Sequence, residues 1–245
     1  DRVPNEYFLN LNGLTDEWIT QRTGIKTRSK ARKNENVTTM SLEALKNALP
    51  TLPYDIKEVD LLIAASYSPY DTVGTTAHVV QQIYDIPDAK AFAMSSACSS
   101  FENALEIAEA FFISGKATKA LILSADMNSA YANETDPKAG HLWGDAAAVF
   151  FVSKESCAED EPEVIDIMTE ALGHIGKGPY GVMLKPYDGG IEMPDGKNVF
   201  IQACKYMPKS VEYLLDKNNL TWDNLSYFIG HQATQHRRVG KYRVC

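Results

Sequence analysis

The chain of 245 residues reads as an α/β protein in which helices sandwich a sheet. Two observations predict this. Short apolar runs with few polar positions, VDLLIAAS at 59–66 and KALILSAD at 119–126, suit strands buried on both faces. These runs alternate with stretches of helical period, such as TTMSLEALKNAL at 38–49 and FENALEIAEAFFISG at 101–115.

From the front, TDEWITQRT at 15–23 is a helix. Thr15 is placed to cap it, and Asp16 and Glu17 stand in its first turn. The 38–49 helix sets Met40, Leu42, Leu45 and Leu49 near one face. TAHVVQQIYDI at 76–86 is helical, and AKAFAMSSA at 89–97 is a strand that runs into Cys98. The 101–115 helix stops at Gly115, and HLWGDAAAVFFVS at 141–153 is a bend and a strand. KESCAEDEPE at 154–163 is polar and acidic, and divides a half of 1–156 from one of 157–245. Beyond it, PEVIDIMTEAL at 162–172 is expected to be a strand, and 173–197, rich in glycine and proline, a loop over a site. Residues 198–219 form a helix that Pro208 kinks or divides. LSYFIGHQAT at 225–234 is expected to be a buried strand with a polar break. Helix, polar link and apolar run thus occur twice, and alignment of Val59 on Leu225 sets Ala65 on His231.

Composition narrows the function. Net charge is -8, which disfavours a nucleic-acid groove as the main function, since phosphate contacts need clustered Lys and Arg. The one basic cluster, KTRSKARKN at 26–34, is a solvated loop or a landing site for a phosphate-bearing ligand. Cys98, Cys157, Cys204 and Cys245 are spaced for neither a metal knuckle nor a redox pair, so reduced thiols and a cytoplasmic protein are expected. No apolar run reaches membrane-spanning length and no signal peptide opens the chain, so no membrane partner is expected.

Cys98 carries the chemistry. A strand brings the chain to it, a helix leaves it, and its neighbours Ser95, Ser96, Ala97, Ser99 and Ser100 are small. Unpaired N–H groups and the helix dipole at such a junction favour the thiolate, so a lowered pKa and a nucleophile are expected. Among five histidines, His231 ends an apolar run, where an α/β sheet delivers a residue to its carboxyl-end crevice. His78 reads as helix surface or packing, His174 as a loop residue, and the role of His141 is open.

Four stretches in this order, TDEWITQRTGIKTR, SSACSSFENALEIAEAFFISGKATKALILSAD, LWGDAAAVFF and MPKSVEYLLDKNNLTWDNLSYFIGHQA, resemble 3-oxoacyl-acyl-carrier-protein synthase III, a ketosynthase of the thiolase superfamily. The resemblance implies a thiolase-like fold of two pseudo-repeated halves in α-β-α-β-α layers, and a homodimer. It makes Cys98 the acyl-accepting cysteine and His231 the histidine that aids decarboxylation of malonyl-acyl-carrier-protein. Trp18 and Arg22 become the residues that hold the adenine end of coenzyme A. No metal and no cofactor beyond the coenzyme A thioester are implied.

The chain departs from the family pattern. Fourteen residues follow His231, none of them the expected catalytic asparagine, and the glycine-rich strands of the second half are absent. The family's first strand is missing ahead of residue 1, and 235–245 does not read as the amphipathic helix that should follow. These gaps predict a piece of a longer protein, or a truncated product that cannot condense. Ala146 in place of a glycine, with His141 nearby, points to a specialised branch making polyenes, resorcinols or quinolones. A cysteine hydrolase and a non-catalytic homologue are the rival classes.

Overall fold

The computed structural model describes residues 1–231, 238–239 and 242–243. In chain order its elements are β1 (Arg2–Pro4), α1 (Leu9–Asn12), α2 (Asp16–Thr23), β2 (Thr27–Ser29), α3 (Val37–Ala48), β3 (Leu61–Ala65), α4 (Thr76–Ile83), β4 (Lys90–Met94) and α5 (Ser100–Ile113). There follow β5 (Lys119–Met127), β6 (Asp145–Ser153), β7 (Met183–Lys185), β8 (Gly190–Glu192), α6 (Gly196–Lys217), β9 (Arg238–Val239) and β10 (Tyr242–Arg243). Two compact units result. A sheet unit comprises Ala31–Met127 and Asp145–Thr169, and a hairpin unit comprises Asp1–Lys30, Asn128–Gly144 and Glu170–Cys245.

The sheet unit has strand order β4-β3-β5-β6. β3 pairs in parallel with β4 and β5, while β6 runs antiparallel to β5 from Met127↔Asp145 to Lys119↔Ser153. Side chains alternate across a strand, so β3 feeds two cores. Leu62 and Ala64 join Leu45 of α3, Ala77 and Val80 of α4, and Leu121 and Leu123 of β5. Leu61, Ile63 and Ala65 join Ala104, Ala108 and Phe112 of α5, with Ala120 and Ile122. All five β3 residues are buried, as the unbroken apolar run predicts.

The hairpin unit pairs β1 with β2 and β7 with β8, both antiparallel, and β9 with β10 likewise. A small core of Phe8, Leu14 and Ile19 lies under α2. Asn5 fixes that helix: its Nδ2 donates to Asp16 Oδ1 at 2.7 Å and to the Ile25 carbonyl at 2.7 Å. Gly190 has φ +72°, and a Cβ there would stand 2.2 Å from the Tyr131 carbonyl oxygen. The Ile191 N–H donates to that same oxygen at 2.9 Å, which ties β8 to the 128–144 segment.

Three expectations change. The 162–172 stretch has no regular structure, and Val164 and Ile165 are exposed. β6 already closes that edge of β5, and no described strand lies alongside 162–172 to complete its ladder. The 225–231 part of the expected buried strand likewise forms no strand, with Tyr227 and Ile229 each 87% exposed; 232–234 lie outside the described residues. Here too apolar character alone was misleading, because a strand needs a neighbour to hydrogen-bond. Finally, Pro208 does not divide α6, which runs unbroken through 22 residues. Within 173–197 the glycines frame the β7–β8 hairpin. The expectation for 235–245 falls mostly outside the described residues.

Candidate functional site

β4 delivers the chain to a tight turn over Ser95–Ser99, and α5 leaves it. Ala97, directly before the cysteine, has φ +52°, a conformation that costs a β-carbon-bearing residue energy. The serines hold this turn. Ser100 Oγ donates to the Ala97 carbonyl at 2.6 Å and accepts from the Ser96 N–H at 2.9 Å. Ser99 Oγ donates to the Ser96 carbonyl at 2.9 Å. The N–H groups of Ser99 and Ser100 turn back to the carbonyls of Ser96 and Ala97, each at 3.2 Å. The run of small residues is thus a tied loop, and it leaves Cys98 exposed.

The thiol departs from expectation. Its pKa is raised: desolvation acts first, then the Asp126 carboxylate, with Glu102 adding to both. Its own N–H, directed at the sulfur, works the other way. The predicted lowering fails because burial and the negative charges of Asp126 and Glu102 disfavour the thiolate, while the N–H groups of Ser99 and Ser100 are spent inside the turn. Solvent reaches the residue, but packed atoms around the sulfur still strip water from its anion. Asp126, at the end of β5, accepts on one oxygen from the N–H groups of Tyr67 and Ser68, both at 3.0 Å. The same oxygen takes the hydroxyls of Ser66 and Ser68, at 3.0 and 2.7 Å. Burial raises its own pKa as well.

In the hairpin unit, Thr15 caps α2 as expected, accepting from the Trp18 N–H at 3.1 Å. Trp18 and Arg22 share one face, and the Arg22 guanidinium lies 4.2 Å from the indole centroid. Trp18 is half-buried and Arg22 exposed, so a ligand can reach the indole and the cation stacked on it. The ring of His141 also meets Trp18 edge-to-face, with centroids 5.5 Å apart. The basic cluster splits. Arg28 is buried and donates to Asn5 Oδ1 at 2.7 Å, and Lys30 pairs with Glu134, so these two cations serve the fold.

His231 ends the described part of the 225–231 stretch and is exposed. Cys98 belongs to the sheet unit, whereas His231, Trp18 and Arg22 belong to the hairpin unit. His78 is exposed and shares a hydrogen bond with Thr75 through Nδ1 at 2.9 Å. An open cleft of about 280 Å³ lies between Asn133, Asp136 and Lys138 on one side and Gly189–Pro194 on the other, so the 173–197 loop does border a concavity. Sequence reasoning missed Ala97, Asp126 and the buried ring of His141. The small residue beside a cysteine was a signal for the first; His141 stood out in the sequence without a role, and nothing there marked Asp126.

A family model described as 3-oxoacyl-[acyl-carrier-protein (ACP)] synthase III matches residues 92–173. The beta-ketoacyl-[acyl-carrier-protein] synthase III of Pasteurella multocida (strain Pm70) is 33% identical over 225 residues, covering 89% of this chain and 69% of that protein. The enzyme of the same name from Haemophilus influenzae (strain PittGG) is 33% identical over 224 residues, with the same shares of the two chains. The crystal structure of 3-oxoacyl-[acyl-carrier-protein] synthase III from Aquifex aeolicus VF5 matches with a TM-score of 0.86 at 31% identity, covering 96% of this chain and 73% of that one. The matched family segment holds the Cys98 turn, α5, β5 and β6 together, and both sequence and fold agree over nearly the whole chain. The chain belongs to the beta-ketoacyl-[acyl-carrier-protein] synthase III family, and its fold is the thiolase-like fold of those enzymes.

Proposed function

We propose that Cys98 is the acyl-accepting nucleophile of this acyltransferase, and that His231, Trp18 and Arg22 serve the same reaction. As a family member, the enzyme joins an acyl group from acyl-coenzyme A to malonyl-acyl-carrier-protein by decarboxylative condensation. In the first half-reaction the Cys98 sulfur, losing its proton, attacks the thioester carbonyl, and coenzyme A leaves as the thiol by taking up a proton. In the second, the malonyl group loses carbon dioxide, and the enolate carbon attacks the acyl-cysteine. Cys98 is expelled and the 3-oxoacyl chain stays on the carrier protein. His231 would donate a hydrogen bond to the enolate oxygen, and the Cys98 N–H would form part of an oxyanion hole. Trp18 would stack on the adenine ring while Arg22 stacks or pairs with phosphate.

The observation that carries this reading is the Cys98 turn: an exposed cysteine after a strained residue, between a parallel strand and a helix of 14 residues. The finer expectations belong here too. A homodimer is supported by β4, which is an edge strand of the sheet among the described residues, since such an edge can pair with a second copy. A cytoplasmic site is supported by the free thiols of Cys98, Cys157 and Cys204. Halves of 1–156 and 157–245 are supported by the recurrence of a helix before an apolar run, α3 before β3 and α6 before 225–229.

The test is intact-protein mass spectrometry after incubation with a panel of acyl-coenzyme A thioesters, followed by peptide mapping. One acyl group should appear on the Cys98 peptide, vanish in Cys98→Ala, and discharge when malonyl-acyl-carrier-protein is added. An adduct on Cys157 or Cys204, or release of free acid in place of condensation, would refute the assignment.

A further inference from the structure

Among the described histidines, His141 is the one that neither the sequence nor the reaction explains. It is buried, with 2% of its surface exposed, and its Nδ1 has no hydrogen-bond partner among the described residues. A buried polar nitrogen without a partner is unfavourable, so some other contact keeps an aromatic ring at this position. The contact that the structure offers is Trp18. The two ring planes stand at 81° with centroids 5.5 Å apart, the edge-to-face arrangement that aromatic quadrupoles favour.

The backbone makes this ring a rigid partner. A Cβ at Gly140 would stand 2.4 Å from the Asn133 carbonyl oxygen, so only glycine lets the chain fold this tightly before His141. The Gly140 N–H donates to the Asp136 carbonyl at 2.9 Å, and the Leu142 N–H to the Ala139 carbonyl at 3.0 Å. Behind them, Asn128 Nδ2 donates to the Gly144 carbonyl at 2.8 Å. Trp18 itself stands on a short helix held by Asn5.

We propose that His141 is a positioning residue that fixes the Trp18 indole, so that indole and Arg22 together present one preformed surface to the nucleotide end of the acyl donor. The second half of this statement rests on the coenzyme A reading given above. His141 does so as a neutral ring. Desolvation, then the nearby Arg28 charge, hold its pKa down to about 4, while Asp136 pulls weakly the other way. A neutral imidazole brings no second cation to the indole that already holds the Arg22 guanidinium.

The test compares His141→Ala, His141→Phe and Trp18→Ala in two readouts. In the first, protein labelled with 5-fluorotryptophan is observed by ¹⁹F NMR, with the Trp18 line assigned by its loss in Trp18→Phe. His141→Ala should shift and broaden the Trp18 line while leaving that of Trp222, the internal check on folding, in place. His141→Phe, which restores a ring edge without Nδ1, should return a single narrow line. In the second, acylation is followed with acyl-coenzyme A and with acyl-pantetheine, which lacks the nucleotide. His141→Ala should raise KM for the first by about two- to tenfold, with kcat little changed and no effect on the second. An unmoved Trp18 line, failure of phenylalanine to rescue, or equal effects on both donors where Trp18→Ala separates them would overturn the proposal. If Trp18→Ala itself fails to separate the donors, the coenzyme A reading falls, and the Trp18 line alone then decides whether His141 positions the indole.

Discussion

Two helices in this molecule start at places where the sequence points to function, and they start differently. α2 has a conventional beginning: Thr15 accepts from the Trp18 N–H, and Asp16 and Glu17 face the positive end of the dipole. α5 has no side-chain cap; Ser99 sits at φ -96°, ψ 14°, and the turn before it contains the left-handed Ala97. The difference teaches that the two ends do separate jobs. In α2 the cap fixes a helix whose side chains, Trp18 and Arg22, are displayed along its flank. In α5 the end itself carries Cys98, the nucleophile proposed above, and the conformational cost of Ala97 falls directly beside it.

That contrast can be broken most forcefully at Ala97. A β-branched side chain at φ +52° is expected to cost about 1–3 kcal/mol in chemical denaturation, and acylation of Cys98 should fall with it. Ala97→Gly, which tolerates this φ, should keep both stability and acylation near the parent level. If Ala97→Val is as stable and active as the parent, the turn is not strained.

A smaller effect separates the caps. Thr15→Ala should cost roughly 0.5–2 kcal/mol, because the Trp18 N–H loses its acceptor. Ser99→Ala should cost less, about 0.5 kcal/mol, since its hydroxyl caps nothing and makes an exposed bond to the Ser96 carbonyl. Urea titrations of the two variants side by side would decide, and the reverse order would remove the distinction.

The subtlest change is electrostatic. Asp126→Asn keeps an oxygen to accept the four donors around Asp126 Oδ1 but removes a negative charge that raises the Cys98 pKa. The sign is fixed: with that charge gone the thiolate forms at lower pH, so the pH profile of iodoacetamide labelling at Cys98 should move down. An unmoved or rising profile would mean that desolvation alone sets the thiol.

What the sequence disclosed was local or periodic. The Thr15 cap follows from one residue and its neighbours, and β3 from a run of five apolar residues whose two faces must both be covered. The start of α5 near Cys98 was visible because strand and helix patterns meet there. Tertiary facts were hidden. That the Asp126 charge acts on the thiol depends on parallel pairing of β5 with β3, Ala65 opposite Ser124, which no local signal encodes. Arg28 looked like part of a basic surface, yet it turns inward to Asn5 because β2 pairs with β1. The failures at 162–172 and 225–231 share a cause: an apolar run shows that a segment can be a strand, while its partner makes it one.

The interleaving of the two units in the chain has a consequence for synthesis. β5 and β6 are paired over nine residues, but the 128–144 excursion between them belongs to the hairpin unit. A ribosome therefore delivers β3, β4 and β5 well before β6, and in that interval β5, with Leu121, Ile122 and Leu123 at its centre, has one edge unsatisfied. Such an edge can recruit another nascent chain. Seventeen residues of delay, at about 5–20 residues per second, leave it open for roughly one to three seconds, a window in which a chaperone that shields strand edges would have most effect on yield.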